Sequence, residues 1–498
     1  MRECSYVKPV SLGRCWARTT ALAAVFLSVA AAPVATPAPA ATSAPAASPI
    51  PLDTAARERI DADVTAILKG LRGTGATIEI VEGDASTYVR GYGLRDVVRA
   101  LPAQAGTQYE IGSITKQFTA AAILQLKSAG KLRLDDRLAV YLPNAPHARE
   151  VTIRQLLSHT SGIPEYLDGP HIVGRAAKPA TFTQLMALVA KKPLDFKPGT
   201  KFEYSNTNYI ILGRVIEVVS KQPYEAYVRE HLFAPAGMSQ TATMADESRL
   251  PDMARGYTQK NGKTIPASPL DDSFAWSAGN IVSTVEDLER WNVALSSGKI
   301  IPAADYALMT TPVRLPNGAS TDYGFGMVAD SFEGQPRVWH NGGTFGFAAT
   351  NQFFPNLSLR VIAFTNDGNG PDAAIAAKIF NDLNPTIAAS DLAAAPGEDP
   401  AVTARIKAFI LPALKGHLDR SLITDTANKA LPDAAIKSVA DQLAPLGDPT
   451  GFIYKSVTQR PAGPIYVYLV VYGSQTLKLT IQIEKASDKF SLFFISPQ

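Results

Sequence analysis

Ser113 and Lys116 stand three residues apart, directly after Tyr109-Glu110-Ile111-Gly112 and directly before a run with helical apolar spacing. In a helix beginning near Ser113, positions i and i+3 share a face, so the amine can reach the serine hydroxyl. A lysine in a first turn meets the positive end of the helix dipole, which favours Asp or Glu and opposes a cation by ~0.3–1 kcal/mol. A neutral amine in a buried, electropositive pocket escapes that conflict, because both influences lower a lysine pKa toward the range of a general base. Taken alone, S-x-x-K is a weak signal that more often marks a serine N-cap beside a solvated lysine.

Two further segments carry chemistry of the same kind. Tyr204-Ser205-Asn206 follows Pro198-Gly199 and precedes a helix-like run. A phenol near cationic or donor groups can shuttle a proton between nucleophile and leaving group, and an asparagine amide can hold a substrate carbonyl. The bland alternative is a packed tyrosine with a capping Ser-Asn. Trp339-His340-Asn341-Gly342-Gly343 falls at a strand edge, where small residues let substrate approach the backbone and an N–H can join that of Ser113 in an oxyanion hole. A Gly-Gly pair ending a strand also serves simply as a bulge or turn.

These segments need elements to hold them. Leu52 to Leu71 has helical spacing, and 76–81 and 87–92 read as strands around a turn at Gly83-Asp84. Ser113 opens a helix with Phe118, Ala122 and Leu126 on one face and Gly130 as its stop. From 151 to 335 the chain reads as largely helical, with helices at 209–220 and 284–296 among Gly- and Pro-punctuated loops. Strands return at 345–354 and 357–366, hinged at Pro355-Asn356, and a helix follows at 371–383. This order predicts a mixed α+β fold, one antiparallel sheet closed by both ends of the domain and flanked by helices, with a large helical insert. After an Ala/Pro-rich linker at 388–400, residues 401–498 form a separate α+β module, with helices at 401–415 and 432–443 and strands at 451–457, 464–472, 476–484 and 490–495. Tyr466, Tyr468 and Tyr472 along one of those strands either line a groove or pack.

In the order S-x-x-K, Y-x-N, H-x-G, the chain resembles the β-lactamase-related serine hydrolases: class C β-lactamases, DD-carboxypeptidases, D-aminopeptidases and related esterases. Segments 110–118, 156–163, Pro198-Gly199 and Ser277-Ala278-Gly279 look like that family's usual phrases, over a catalytic domain spanning 53–387. The resemblance implies an acyl-enzyme on Ser113, with Lys116 and Tyr204 sharing the acid/base work. It also implies substrate contacts from Asn206, His340 and Gly342, an oxyanion hole from the N–H groups of Ser113 and Gly343, and no metal or other cofactor. His340 departs from the β-lactamase pattern, which has lysine there. A mostly neutral histidine offers less fixed charge to a substrate carboxylate, so the expected activity is that of an esterase, amidase or D-amino-acid peptidase ahead of a β-lactamase. A non-catalytic recognition protein of the penicillin-binding type is the rival from another class. The C-terminal module resembles cystatin-like or nuclear-transport-factor-like accessory domains, expected to shape substrate access or pair subunits.

Composition narrows the remaining classes. With 46% hydrophobic and 19% charged residues, the chain is that of an ordinary globular protein. Arg2, Lys8, Arg14 and Arg18 precede an apolar stretch from Ala21 to Ala32 and small residues ending at Ala40, the plan of a cleavable export signal over 1–40, with an Ala/Pro-rich linker at 41–52. About a dozen apolar residues is too few to span a bilayer. Cleavage would remove both cysteines, Cys4 and Cys15, and bring the formal charge of +3 to zero, leaving no basic footprint for nucleic acid. The expected enzyme is therefore periplasmic or extracellular, and its partner is a small ester, amide or D-amino-acid peptide. His147, His159, His171, His231 and His417 lack the spacing of metal ligands and read as structural. Ser113 also lacks the G-x-S-x-G elbow of an α/β-hydrolase. Specificity is expected to lie in the loops 164–178 and 244–273.

Overall fold

The computed structural model describes residues 52–497, except 70–72, 84, 169–171, 261–262, 388–392, 461 and 473–475. The expected leader and tether, Asp84, His171 and the start of the 388–400 linker lie outside the described residues. Helix α1, Thr54–Lys69, buries Ala56, Ile60, Val64 and Leu68, a strict i, i+4 stripe. It covers one face of a six-stranded antiparallel sheet. That sheet contains β1 (Ala76–Glu82) and β2 (Ala85–Tyr92) from the start of the domain, and β3 (Val328–Phe332), β4 (Gln335–Gly343), β5 (Ala348–Phe354) and β6 (Leu359–Thr365) from its end. The strand order is β3-β4-β5-β6-β1-β2.

Alternation along the central strands builds two cores. Leu359, Val361 and Ala363 face α1 and the closing helix Asp372–Leu383, whereas Ile362 and Phe364 face the insert. Both faces of the sheet are thus covered, which is why β1 is buried from Ala76 through Val81, its polar Thr77 and Glu79 included. The insert packs around α2, Thr115–Ser128, whose side chains are buried on nearly every side. Its Phe118 stacks on Trp291 at 4.0 Å between ring centroids. Such all-round burial makes α2 a rigid post for the residues at its start.

Strand β3 lies inside the 151–335 stretch expected to be largely helical, and two boundaries near the site also differ from the sequence expectation. The α-helix begins at Thr115, and Ser113 belongs to a preceding 3₁₀ turn, Gly112–Ile114, in which Gly112 adopts φ +50°. Strand β5 begins at Ala348, because the Thr344 N–H folds back onto the Phe347 carbonyl at 3.0 Å and makes 344–347 a turn. The C-terminal module contains helices Pro400–Ala413 and Asp433–Leu443 and a four-stranded antiparallel meander, Gly451–Thr458, Ile465–Val471, Thr476–Ile483 and Phe490–Pro497. It has its own core, with Phe409 stacked on Phe490 at 4.1 Å. Tyr468 and Tyr472 belong to that core, and the Tyr468 hydroxyl meets that of Thr403 at 2.9 Å, so these tyrosines pack and line no groove.

Candidate active site

The turn that carries Ser113 is clamped from both sides by one short strand, Ile281–Ser283. The Ile111 N–H donates to the Ile281 carbonyl at 3.0 Å, and the Ile281 N–H donates to the Thr115 hydroxyl at 3.1 Å. Ser113 is half-buried at the surface of this clamp, while Lys116 beneath it is fully buried. The Lys116 Nζ lies 2.9 Å from Ser113 Oγ, 2.8 Å from Asn206 Oδ1 and 2.8 Å from the Ala278 carbonyl.

Those three partners decide what the amine can do. Asn206 Oδ1 and the Ala278 carbonyl can only accept, so they take the two N–H bonds of a neutral amine. Its lone pair is then left facing the one partner that can donate, the Ser113 hydroxyl. Burial makes the neutral form available by pushing the Lys116 pKa down to about 7, against the opposing pull of the Glu165 carboxylate. The first-turn lysine that conflicts with the helix dipole is thereby a base near neutrality.

The Ala278 carbonyl is aimed by strain. Trp276, inside the helix Asp272–Gly279, adopts φ +33° and ψ −135°, a conformation costing roughly 1–3 kcal/mol. The kink turns the Ser277 carbonyl onto the Thr119 hydroxyl at 2.7 Å and the Ala278 carbonyl onto Lys116. Gly213 is what permits this approach, since a β-carbon there would overlap Ser277 Oγ.

Tyr204 and Asn206 arrive at the start of the helix Asn206–Ser220. The Tyr204 ring lies over Lys116, with Nζ 4.9 Å from its centroid. Its hydroxyl is buried, and among the described residues it meets no partner in hydrogen-bonding geometry, although Ser113 is close enough to oppose the upward push of burial on the phenol pKa. Asn206 is held on both sides. Its Oδ1 takes Lys116, and its Nδ2 and backbone N–H donate to Glu165 Oε2 at 3.0 and 2.6 Å. One amide hydrogen of Asn206 is therefore all that remains for a substrate.

Strand β4 closes the site. β3 pairs with β4 only as far as Trp339, so the flank of 340–343 is open, in keeping with the expected strand edge, and packs against the Ser113 turn. A β-carbon on Gly342 would overlap the Ile111 carbonyl, and one on Gly112 would lie 2.6 Å from the Gly343 nitrogen. What the glycines admit is the chain itself. Gly342 is buried, and its lack of a side chain lets two backbones meet, which brings the Ser113 turn against the strand end that carries Gly343. Gly343 itself is exposed.

His340 is buried beneath that strand. Its Nδ1 is 2.5 Å from the Asn341 carbonyl, which can only accept, so the proton is on Nδ1 and Nε2 accepts from the Tyr323 hydroxyl at 3.0 Å. Burial, with Lys116 adding to it, lowers the His340 pKa to about 3. At neutral pH this position holds no charge.

The β-lactamase family profile matches residues 60–383. The chain belongs to the β-lactamase family. PbpX of Bacillus subtilis (strain 168), named as a penicillin-binding protein, is 30% identical over 323 residues, covering 64% of this chain and 78% of that one. A D-stereospecific amidohydrolase from Streptomyces sp. is 28% identical, covers 65% of this chain and 97% of its own, and superposes with a TM-score of 0.56. An octameric penicillin-binding protein homologue from Pyrococcus abyssi shares the fold over 86% of this chain and 96% of its own, at 21% identity and a TM-score of 0.59. The family's members are serine hydrolases that work through an acyl-enzyme, and this chain is one of them.

Within this β-lactamase-family site, Ser113, Lys116, Tyr204, Asn206, His340 and Gly343 converge, as their motifs predict. Sequence reading missed three contributors. Glu165 follows the phrase 156–163 and gives no sign in sequence that it will reach Asn206. The Ala278 carbonyl is backbone and has no side-chain signature, and Tyr323 is an isolated tyrosine in a loop.

Proposed function

We propose that this enzyme is an exported amidase or esterase, acting through an acyl-enzyme on Ser113 upon substrates that need no carboxylate anchor. The observation that carries this reading is the uncharged His340, with both ring nitrogens already engaged. A β-lactam or D-Ala-terminated peptide brings a carboxylate, and here it would meet no cation at that position. The 28% identity to the Streptomyces D-stereospecific amidohydrolase supports amides as one substrate class.

In the acylation step the neutral Lys116 accepts the Ser113 proton as Oγ bonds to the substrate carbonyl carbon. The oxyanion receives hydrogen bonds from the N–H groups of Ser113 and Gly343. As the C–N or C–O bond breaks, the Tyr204 hydroxyl passes a proton to the leaving group and is itself replenished from Lys116. Water then attacks the acyl carbon, with the same groups moving its proton in reverse, and Ser113 is released.

A fluorophosphonate probe tests the mechanism. It is expected to label the full chain and to leave Ser113→Ala unlabelled; a folded wild type that resists labelling refutes the acyl-enzyme. Comparing p-nitrophenyl esters, D-amino-acid amides, D-Ala-terminated peptides and nitrocefin tests the substrate class. The reading fails if nitrocefin or the peptides give the highest kcat/KM.

A further inference from the structure

We infer that His159 is a positioning residue that holds Tyr204 in register for proton transfer, an inference that rests on the acyl-enzyme reading above. Three contacts from this one residue bracket the tyrosine. The His159 carbonyl accepts the Glu203 N–H at 3.0 Å, and its Nδ1 accepts the Ser205 N–H at 3.2 Å, so the residues before and after Tyr204 are tied to the same side chain and its own backbone. Its ring also lies against the Tyr204 ring, with centroids 4.3 Å apart and planes tilted by 32°. His159 makes both backbone contacts from the left-handed region, at φ +53°. For a histidine that is an uncommon conformation, which persists only when its surroundings enforce it.

The tautomer is fixed from outside. Ser161 Oγ donates to Asn208 Oδ1 at 2.7 Å, which turns the Asn208 Nδ2 toward His159 Nδ1 at 3.2 Å. Nδ1 therefore faces two N–H groups and must carry a lone pair, leaving the ring proton on Nε2. Phe202, Tyr209 and Tyr323 enclose the rest of the ring. Burial reinforced by Lys116 holds the histidine pKa well below its usual value, so the accepting form is the one present.

The need for such a brace follows from the other end of Tyr204. Its hydroxyl has Ser113 nearby but meets no partner in hydrogen-bonding geometry among the described residues, so the tip alone holds the phenol only loosely before substrate arrives. Placement must come from behind the ring and from the flanking backbone, where His159 is. A catalytic group displaced by about 1 Å can cost about a hundredfold in rate.

Full-length His159→Leu and His159→Asn, each made with Tyr204 and with Tyr204→Phe, test the inference. Asparagine keeps an acceptor near the Nδ1 position and tolerates positive φ, while leucine keeps neither property. His159→Leu is expected to lower kcat for p-nitrophenyl esters about a hundredfold with KM within about threefold, and His159→Asn to recover to within about tenfold of wild type. In the Tyr204→Phe background neither change should lower the residual rate further, because the group being positioned is gone. Additive losses, or an asparagine variant no better than leucine, overturn the proposal. A second readout does not depend on turnover. In protein labelled with 3-fluorotyrosine, the ¹⁹F line assigned by Tyr204→Phe should broaden or split in a folded His159→Leu variant, and an unchanged line overturns the positioning role. Absence of Ser113-dependent labelling in wild type would instead refute the acyl-enzyme, with the ¹⁹F line still deciding what His159 does.

Discussion

At the scale of single residues, the site works by withholding charge. Lys116 must be neutral to accept the Ser113 proton, and its pKa of about 7 places that requirement inside the working range. Lowering pH protonates the amine, so kcat/KM for p-nitrophenyl esters should fall as pH drops through about 7 and level off above it. Glu165 opposes the burial that lowers the Lys116 pKa, so removing its charge favours the neutral amine. Glu165→Gln is therefore expected to move the acid limb of the pH profile to lower pH, and a shift in the other direction would contradict this electrostatic account. His340 tests the second withheld charge. His340→Lys should lower KM for nitrocefin and D-Ala-terminated peptides while leaving KM for uncharged esters nearly unchanged; an unaltered nitrocefin KM would mean that this position does not face the carboxylate.

At the scale of elements, two backbone segments from distant parts of the sequence meet at the proposed oxyanion site. The Ser113 turn and the end of β4 approach so closely that Gly112 and Gly342 are each required by the other segment. In Gly342→Ala the new methyl group would overlap the Ile111 carbonyl, and relieving that contact must separate the two amides. Loss of one oxyanion donor costs about 10²–10³ in kcat. A drop of that size in kcat for p-nitrophenyl esters is expected, with a stability loss of about 1–3 kcal/mol in urea titration. Near-wild-type kcat in the folded variant would show that the strand and turn need not touch.

At the scale of the whole molecule, the cores are separate. The clusters on the two faces of the main sheet and the cluster of the C-terminal module have no residue in common. Phe490, fully buried and stacked on Phe409, anchors the last of these. Phe490→Ala is expected to destabilise the C-terminal module by about 3–5 kcal/mol. Calorimetry should then show one transition moving down while fluorophosphonate labelling of Ser113 survives to the temperature of the other. A single transition that moves as a unit would mean that the two parts unfold together.

The sequence alone determined the local parts. The i, i+4 stripe of α1, the strands of both sheets apart from β3 and most of β4, and the Ser113–Lys116 spacing are written in near neighbours, and periodicity and turn residues report them directly. The order of three motifs was enough to mark Ser113, Lys116, Tyr204 and His340 as one site. Only the tertiary structure decided their chemistry. The state of Lys116 depends on being enclosed, on a carbonyl aimed by strain at Trp276 and on Glu165, which acts from 49 positions further along the chain. His340 is uncharged because a loop tyrosine, Tyr323, and burial make it so. Spacing specifies which side chains can share a face, whereas protonation depends on the dielectric and the partners that distant segments bring, and those exist only once the chain has folded.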